Sequence, residues 1–149
     1  MKVTHHQVEV ELNDEWWMEA GMVSFVPSGS VYSIDHNAHP NSRVICIEDI
    51  GPVRRNLGVG IFNDGENGSA RDRVVSILRA FRLGIPVPPV EVVENAANSR
   101  HRYHLTHGAH RLYCSLAVGY SHVPTVCGFD WETLDDGRLT RRRTQGRED

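Results

Sequence analysis

Tyr103-His104-Leu105-Thr106-His107-Gly108-Ala109-His110-Arg111-Leu112-Tyr113-Cys114-Ser115-Leu116 is the stretch whose reading decides the fold. Arg102 to Thr106 reads as a strand, and His107-Gly108 as a tight turn. A helix follows from about Ala109 to Val118, with Leu112 and Leu116 facing inward and Gly119 as its stop. Val123-Pro124-Thr125-Val126-Cys127 is a further short strand. At the turn, Gly108 lets the backbone bend and approach a ligand with no Cβ in the way. The amides of Ala109, His110 and Arg111 would be the first donors of the helix, where the helix dipole also favours an anion. His110 and Arg111 add side-chain donors, and a guanidinium can grip two phosphate oxygens at once. The same four residues also fit an ordinary helix start with a solvated arginine and a capping histidine.

Working upstream, Val74, Ile77, Leu78 and Phe81 recur at i, i+3, i+4 and i+7, which predicts an amphipathic helix. Ser69 with Asp72 resembles a capping box at its start, and Gly84 followed by Pro86 ends it. Val87-Pro88-Pro89-Val90-Glu91-Val92-Val93 reads as a strand whose prolines sit at its beginning. A polar linker from Glu94 to Arg100 joins it to the strand at Arg102. Val44-Ile45-Cys46-Ile47 is a short apolar run suited to a buried strand, ended by Glu48-Asp49 and Gly51-Pro52. Asn63 to Gly68 is a polar loop carrying DG and NG turns. The resulting order is strand, helix, strand, strand, helix, strand.

The first 42 residues read as a β-rich extension. Val8, Val10 and Leu12 alternate with polar residues, as in a half-buried strand. Val23-Ser24-Phe25-Val26 and Val31-Tyr32-Ser33-Ile34 read as two strands of a hairpin turning at Pro27-Ser28-Gly29-Ser30. Trp16 and Trp17 are expected to cover one side of the core. From Asp135 the chain carries five arginines and four acids in fifteen residues, too polar to bury much. The expected organisation is therefore an N-terminal extension over 1–42, one domain over 43–134, and a flexible charged tail over 135–149.

Composition narrows the function classes. Hydrophobic residues make up 40% of the chain and charged residues 23%, a balance that excludes wholesale disorder. The net charge of −3 gives no overall pull toward nucleic acid, although a local basic patch such as Arg141-Arg142-Arg143 could still contact it. No stretch approaches the roughly 18 apolar residues that a membrane span needs, and the first residues lack the apolar core of a signal peptide. Cys46, Cys114 and Cys127 are odd in number with no CxxC spacing, so three reduced thiols and a cytoplasmic location are expected. His101, His104, His107 and His110 invite a metal reading. His104 and His107 fall on opposite faces of a strand, however, and the spacing matches no zinc pattern, so no metal site is expected.

The residues from Tyr103 to Leu116, with Gly119 and the Val123-Pro124 strand, resemble the signature of the ParB/sulfiredoxin superfamily, in which a strand, a Gly-x-[His/Arg]-Arg turn, a helix, a glycine and a Val/Ile-Pro strand follow one another. Asp72-Arg73-Val74-Val75-Ser76-Ile77-Leu78, then Pro88-Pro89-Val90-Glu91-Val92, is similar to the sulfiredoxin stretch Lys-Val-x-Ser-Leu leading to Pro-Pro-Ile-Asp-Val. The resemblance covers roughly residues 43–130. It implies an α/β (α+β) fold, a small mixed sheet with two main helices, and a nucleotide-phosphate site. In that site Gly108, Ala109, His110 and Arg111 would hold the phosphates, Arg73 would stand for the family's phosphate-binding lysine, and Ser76 for its serine one turn on.

The departures matter as much as the matches. Ala109 occupies the position of the sulfiredoxin nucleophilic cysteine, and an alanine has no thiolate, so sulfiredoxin chemistry is excluded there. ParB proteins carry Glu-Arg-Arg after the glycine and bind CTP. Ala109-His110-Arg111 is closer to the Gly-His-His-Arg turn of the ADP-dependent free-serine kinases of this fold. The resemblance thus implies ATP or ADP with Mg²⁺, CTP being the ParB-like alternative, and phosphoryl transfer or nucleotide hydrolysis. Glu48 or Asp49 would be the catalytic carboxylate, lying near where kinases of this fold place one. Arg54 and Arg55 could line the anion site or face water. Two other readings stay open: a DNA-binding protein or nuclease using the phosphate pocket and the arginine-rich tail, and a non-catalytic interaction protein.

Overall fold

The apolar stripe of Val74, Leu78 and Phe81 needs something to cover it, and the architecture follows from what does. In the computed structural model the backbone is described for residues 1–53, 69–127, 129–133 and 139–143, and side chains for 1–53 and 70–127. Arg54, Arg55, the loop at 63–68, the end of the tail and the side chains of Arg141 to Arg143 lie outside the described residues. So does the side chain of Ser69, the first residue of the helix it was expected to cap.

In chain order the elements are β1 (Lys2–His5), β2 (Val8–Glu11), α1 (Asp14–Glu19), β3 (Arg43–Cys46), a 3₁₀ turn (Ile47–Asp49), α2 (Ser69–Leu83), β4 (Val90–Glu94), β5 (Tyr103–His107), α3 (Ala109–Val118), β6 (His122–Cys127), β7 (Phe129–Thr133) and β8 (Leu139–Arg143). The fold is α+β. A four-stranded mixed sheet runs in the order β3-β6-β4-β5. β6 and β4 are parallel, while β3 pairs antiparallel with β6 and β5 with β4. α3 packs on this sheet through β4 and β6, and α2 packs on α3 and α1, so that Val74, Leu78 and Phe81 share one buried cluster with Leu112, Tyr113, Val90, Val92 and Val123. Both helices end as their glycines require, Gly84 at φ +70° and Gly119 at φ +102°. No helix among the described residues is long and apolar enough to cross a membrane.

Four expectations need correction. β3 is an edge strand and not a buried one, and Val44 on it is 53% exposed. Residues 23–26 and 31–34 form no hairpin. The second segment runs beside the α2–β4 connection instead, where Val87 N–H donates to Ser33 O at 2.9 Å, while Ser30 O accepts from Ser121 N–H at 3.2 Å and His122 N–H at 3.0 Å. Short apolar runs satisfied by loops in this way carry the same composition as strands. Asp14 to Glu19 is helical, capped by Asn13 Oδ1 accepting from Glu15 N–H at 2.8 Å, with Trp16 and Trp17 half-buried against the core. Part of the tail is extended too, because Leu139–Arg143 pairs antiparallel with Phe129–Thr133 across the expected boundary at 134.

The N-terminal segment is not an appendage. Val3, Leu12, Ala20, Met22 and Tyr32 belong to the same buried cluster as α2, α3 and β4. α2 holds it from the other side, with Arg71 paired to Glu19, Arg79 Nη2 donating to Glu19 O at 3.2 Å, and Arg82 Nε to Ala20 O at 2.9 Å. Cys114 and Cys127 are buried and Cys46 is partly so; none of the three forms a disulfide, and Cys127 Sγ accepts from Arg43 Nη2 at 3.2 Å.

β1 is pinned through His5, whose ring is 3% exposed with Nε2 2.8 Å from the Ile50 carbonyl. A carbonyl only accepts, so Nε2 is the protonated, donating nitrogen in this bond. Burial, reinforced by neighbouring His6, lowers the His5 pKa below its usual 6.5. Between that lowered value and 6.5 the unfolded chain binds the proton first. Stability is therefore complete above about pH 6.5 and is lost as the pH falls through that window. Thermal unfolding from pH 7.5 to 5 should show this fall, and His5→Gln should flatten it; identical slopes in both proteins would contradict the assignment.

Candidate functional site

The turn from β5 into α3 is forced by one residue. Gly108 has φ +108° and ψ 30° as the residue before α3, a conformation that side-chain-bearing residues rarely adopt. A Cβ there would lie 2.7 Å from Val90 Cγ1 and 3.2 Å from Arg111 Nη2. Glycine thus lets the start of α3 press directly on the first residue of β4. Gly108 O accepts the helix's first bond, from Leu112 N–H at 2.9 Å. The amides of the opening turn have no carbonyl to bond within the helix, and Gly108 supplies no capping side chain.

That turn faces a groove of about 580 Å³, lined by Gly108, Ala109, His110 and Arg111 with Leu105, Thr106 and His107 from β5, Arg73 and Ile77 from α2, and Val53. Arg111 enters it already oriented. Its Nη1 donates to Pro88 O at 3.1 Å and to Pro89 O at 2.6 Å, while Nη2 lies beside Gly108. Both acceptors sit in a stretch whose proline rings fix φ, so the guanidinium rests on a stiff support.

Arg73 differs from its neighbours on α2. Arg71, Arg79 and Arg82 all turn toward α1. Arg73 is exposed on the groove side and makes no hydrogen bond or ion pair with any described residue. Ile77, Leu105 and Val53 add apolar side chains to the lining. The described lining residues include no carboxylate. Glu91 on β4 meets two of the lining residues: its Oε1 accepts from the Thr106 hydroxyl at 3.2 Å and lies 4.0 Å from His107 Nε2.

The structure therefore brings Arg73, Gly108, Ala109, His110 and Arg111 together, but not the other three expected site residues. Ser76 is exposed and does not line the groove; Ile77 lines it one residue on. Glu48 and Asp49 are exposed on the 3₁₀ turn after β3 and are absent from the lining. Glu48 instead serves the N-terminal hairpin, with its carbonyl 2.9 Å and its carboxylate 4.0 Å from His6 Nε2. The next residue but one, Ile50, pairs with Tyr103 at the start of β5, whereas the groove lies at that strand's far end. Glu48 and Asp49 were expected at the site because they follow a strand, and that position along the chain says nothing of which end of β5 they meet.

The histidines divide in the same way. His107 and His110 line the groove. His101 rests against the His6 ring, centroids 4.3 Å apart, and His104 Nδ1 lies 2.6 Å from Asn95 Oδ1. No group of three or more His, Cys, Asp or Glu side chains among the described residues is arranged to hold a metal ion. Cys114, on the buried side of α3, has its thiol pKa pushed far up by burial and supplies no thiolate. Sequence reasoning overlooked Pro88 and Pro89 as the support of Arg111, because two prolines before a strand signal only where pairing begins.

Against this geometry, no family model, curated protein or solved structure matches the chain.

Gly108→Ala should destabilise the protein by about 2–4 kcal/mol, from the left-handed backbone together with the overlap on Val90. Equilibrium denaturation checks this, and an unchanged midpoint would mean that the turn is not held against β4 as described.

Proposed function

We propose that the groove at the start of α3 binds the phosphates of a nucleotide, ATP or ADP first and CTP as the alternative. One observation carries the reading: first-turn amides that have no carbonyl to bond within the helix, an oriented guanidinium at Arg111 and an arginine without a described partner at Arg73 converge on one groove. Each favours an anion for a separate physical reason: directed N–H donors with the helix dipole, a planar fork matching phosphate, and a charge that no described residue pairs. The apolar side chains of Ile77, Leu105 and Val53 offer a place for a base or sugar face beside them.

The resemblance to the ParB/sulfiredoxin superfamily supports the same reading, with Arg73, His110 and Arg111 at the phosphate positions. The described donor set suits an anion and not a hard cation, so Mg²⁺ would come with the ligand's phosphates and no step is assigned to it. Binding is the function the geometry supports best. Transfer or hydrolysis also needs a base, and among the described lining residues only His107 and His110 could serve as one.

Calorimetric titration with ATP, ADP and CTP tests the proposal. Arg73→Ala should weaken binding about tenfold or more without moving the melting temperature, because Arg73 holds no described partner in the fold. Arg111→Ala should weaken binding and also lower stability by about 1–2 kcal/mol, because two proline carbonyls lose their donor. Failure of all three nucleotides to saturate the wild-type protein would contradict the proposal. Steeply salt-dependent binding of duplex DNA in their place would move the reading to a DNA-directed protein.

A further inference from the structure

Arg111 is supported from a part of the chain far from its own helix. Tyr32 lies in the irregular segment between α1 and β3 and is 3% exposed. Its ring stacks on Phe81 of α2 with centroids 4.9 Å apart and planes 20° apart, and Phe81 meets Tyr120 edge-on at 5.5 Å. With the ring held in this way, the hydroxyl can reach only a small region, and there it donates to Pro88 O at 2.7 Å. The same carbonyl accepts from Arg111 Nη1 at 3.1 Å, and that nitrogen donates again to Pro89 O at 2.6 Å. One residue earlier, Val87 N–H donates to Ser33 O at 2.9 Å. The segment carrying Tyr32 therefore holds the connection into β4 through a side chain and a main-chain bond in succession. Burial pushes the Tyr32 phenol pKa up, against a smaller opposing pull from the Arg111 charge, and the hydroxyl stays a donor.

We propose that Tyr32 is a positioning residue of the groove: by fixing the Pro88 carbonyl, its hydroxyl sets the plane and reach of the Arg111 guanidinium. A guanidinium is flat, and its hydrogen bonds leave in fixed directions. Two immobile acceptors therefore define where its remaining N–H groups point, and a moving acceptor does not. The peptide unit that carries the Pro88 carbonyl ends on the Pro89 nitrogen and has no N–H with which to anchor itself, so an outside donor is the means available to hold it. The consequence for a ligand rests on the phosphate reading above. The hydroxyl–carbonyl–guanidinium link itself does not.

The test uses Tyr32→Phe, which keeps the ring and its stack on Phe81 and so keeps the fold, with two readouts. The first is the ¹⁵N spectrum of the Arg111 side chain without ligand. Wild type should show hindered guanidinium rotation with separate Nη signals, and Tyr32→Phe should average them. The second is titration with inorganic pyrophosphate at low ionic strength. Tyr32→Phe should bind about fivefold more weakly, the size of one lost hydrogen bond. It should lose nothing further in an Arg111→Ala background and show its full loss in an Arg73→Ala background. An Arg111 spectrum unchanged by Tyr32→Phe, or a loss that persists without Arg111, would overturn the proposal. Wild type that fails to bind pyrophosphate while its Arg111 signals still collapse in Tyr32→Phe would sustain the positioning role and remove the phosphate reading, so the two failures are distinguishable.

Discussion

The contact between Gly108 and Val90 governs more of this structure than its size suggests. A backbone at φ +108° with no room for a Cβ lets the first turn of α3 meet the first residue of β4. That approach puts the amide end of the helix, the guanidinium of Arg111 and the proline carbonyls ahead of β4 within one short radius. A larger residue would push the helix away from the sheet, and Arg111 Nη1 would lose its 2.6 Å bond to Pro89 O.

The other side of the site is built by residues that share no sequence neighbourhood with it. α2 uses three arginines to hold α1 and keeps Arg73 on the groove face, so one helix both closes the core and supplies charge. The N-terminal segment closes the core with Val3, Leu12, Ala20 and Met22 and then reaches the site's support through Tyr32. Removing this segment would take apolar area from the core and a hydrogen bond from the carbonyl under Arg111.

How much of this was legible in the sequence depends on the range of the interaction involved. The strand–turn–helix at 102–118 was readable because glycine at the turn, glycine at the stop and the inward leucines are local signals that agree with one another. α2 was readable for the same reason, from its apolar period. β3 was recognised as a strand but misplaced as buried, since an apolar run says nothing about whether a second partner strand will cover its edge. The hairpin expected at 23–34 failed because Val31 to Ile34 finds its partners 50 and more residues away, at Val87 and Pro88. Of the site, Gly108 to Arg111 and Arg73 were foreseen and are assembled. Glu48, Asp49 and Ser76 were foreseen and lie elsewhere, because their placement depended on strand order and helix rotation.

An anion-binding first turn of α3, as proposed above, would be visible amide by amide in a titration. In ¹H–¹⁵N spectra recorded while ADP is added, the amides of Gly108 to Arg111 should shift furthest and saturate together. Amides of the loop at Phe25 to Gly29, which lines a different pocket, should stay in place. Saturable binding that leaves the amides of Ala109, His110 and Arg111 unmoved, or no shifts at any ADP concentration, would contradict the account.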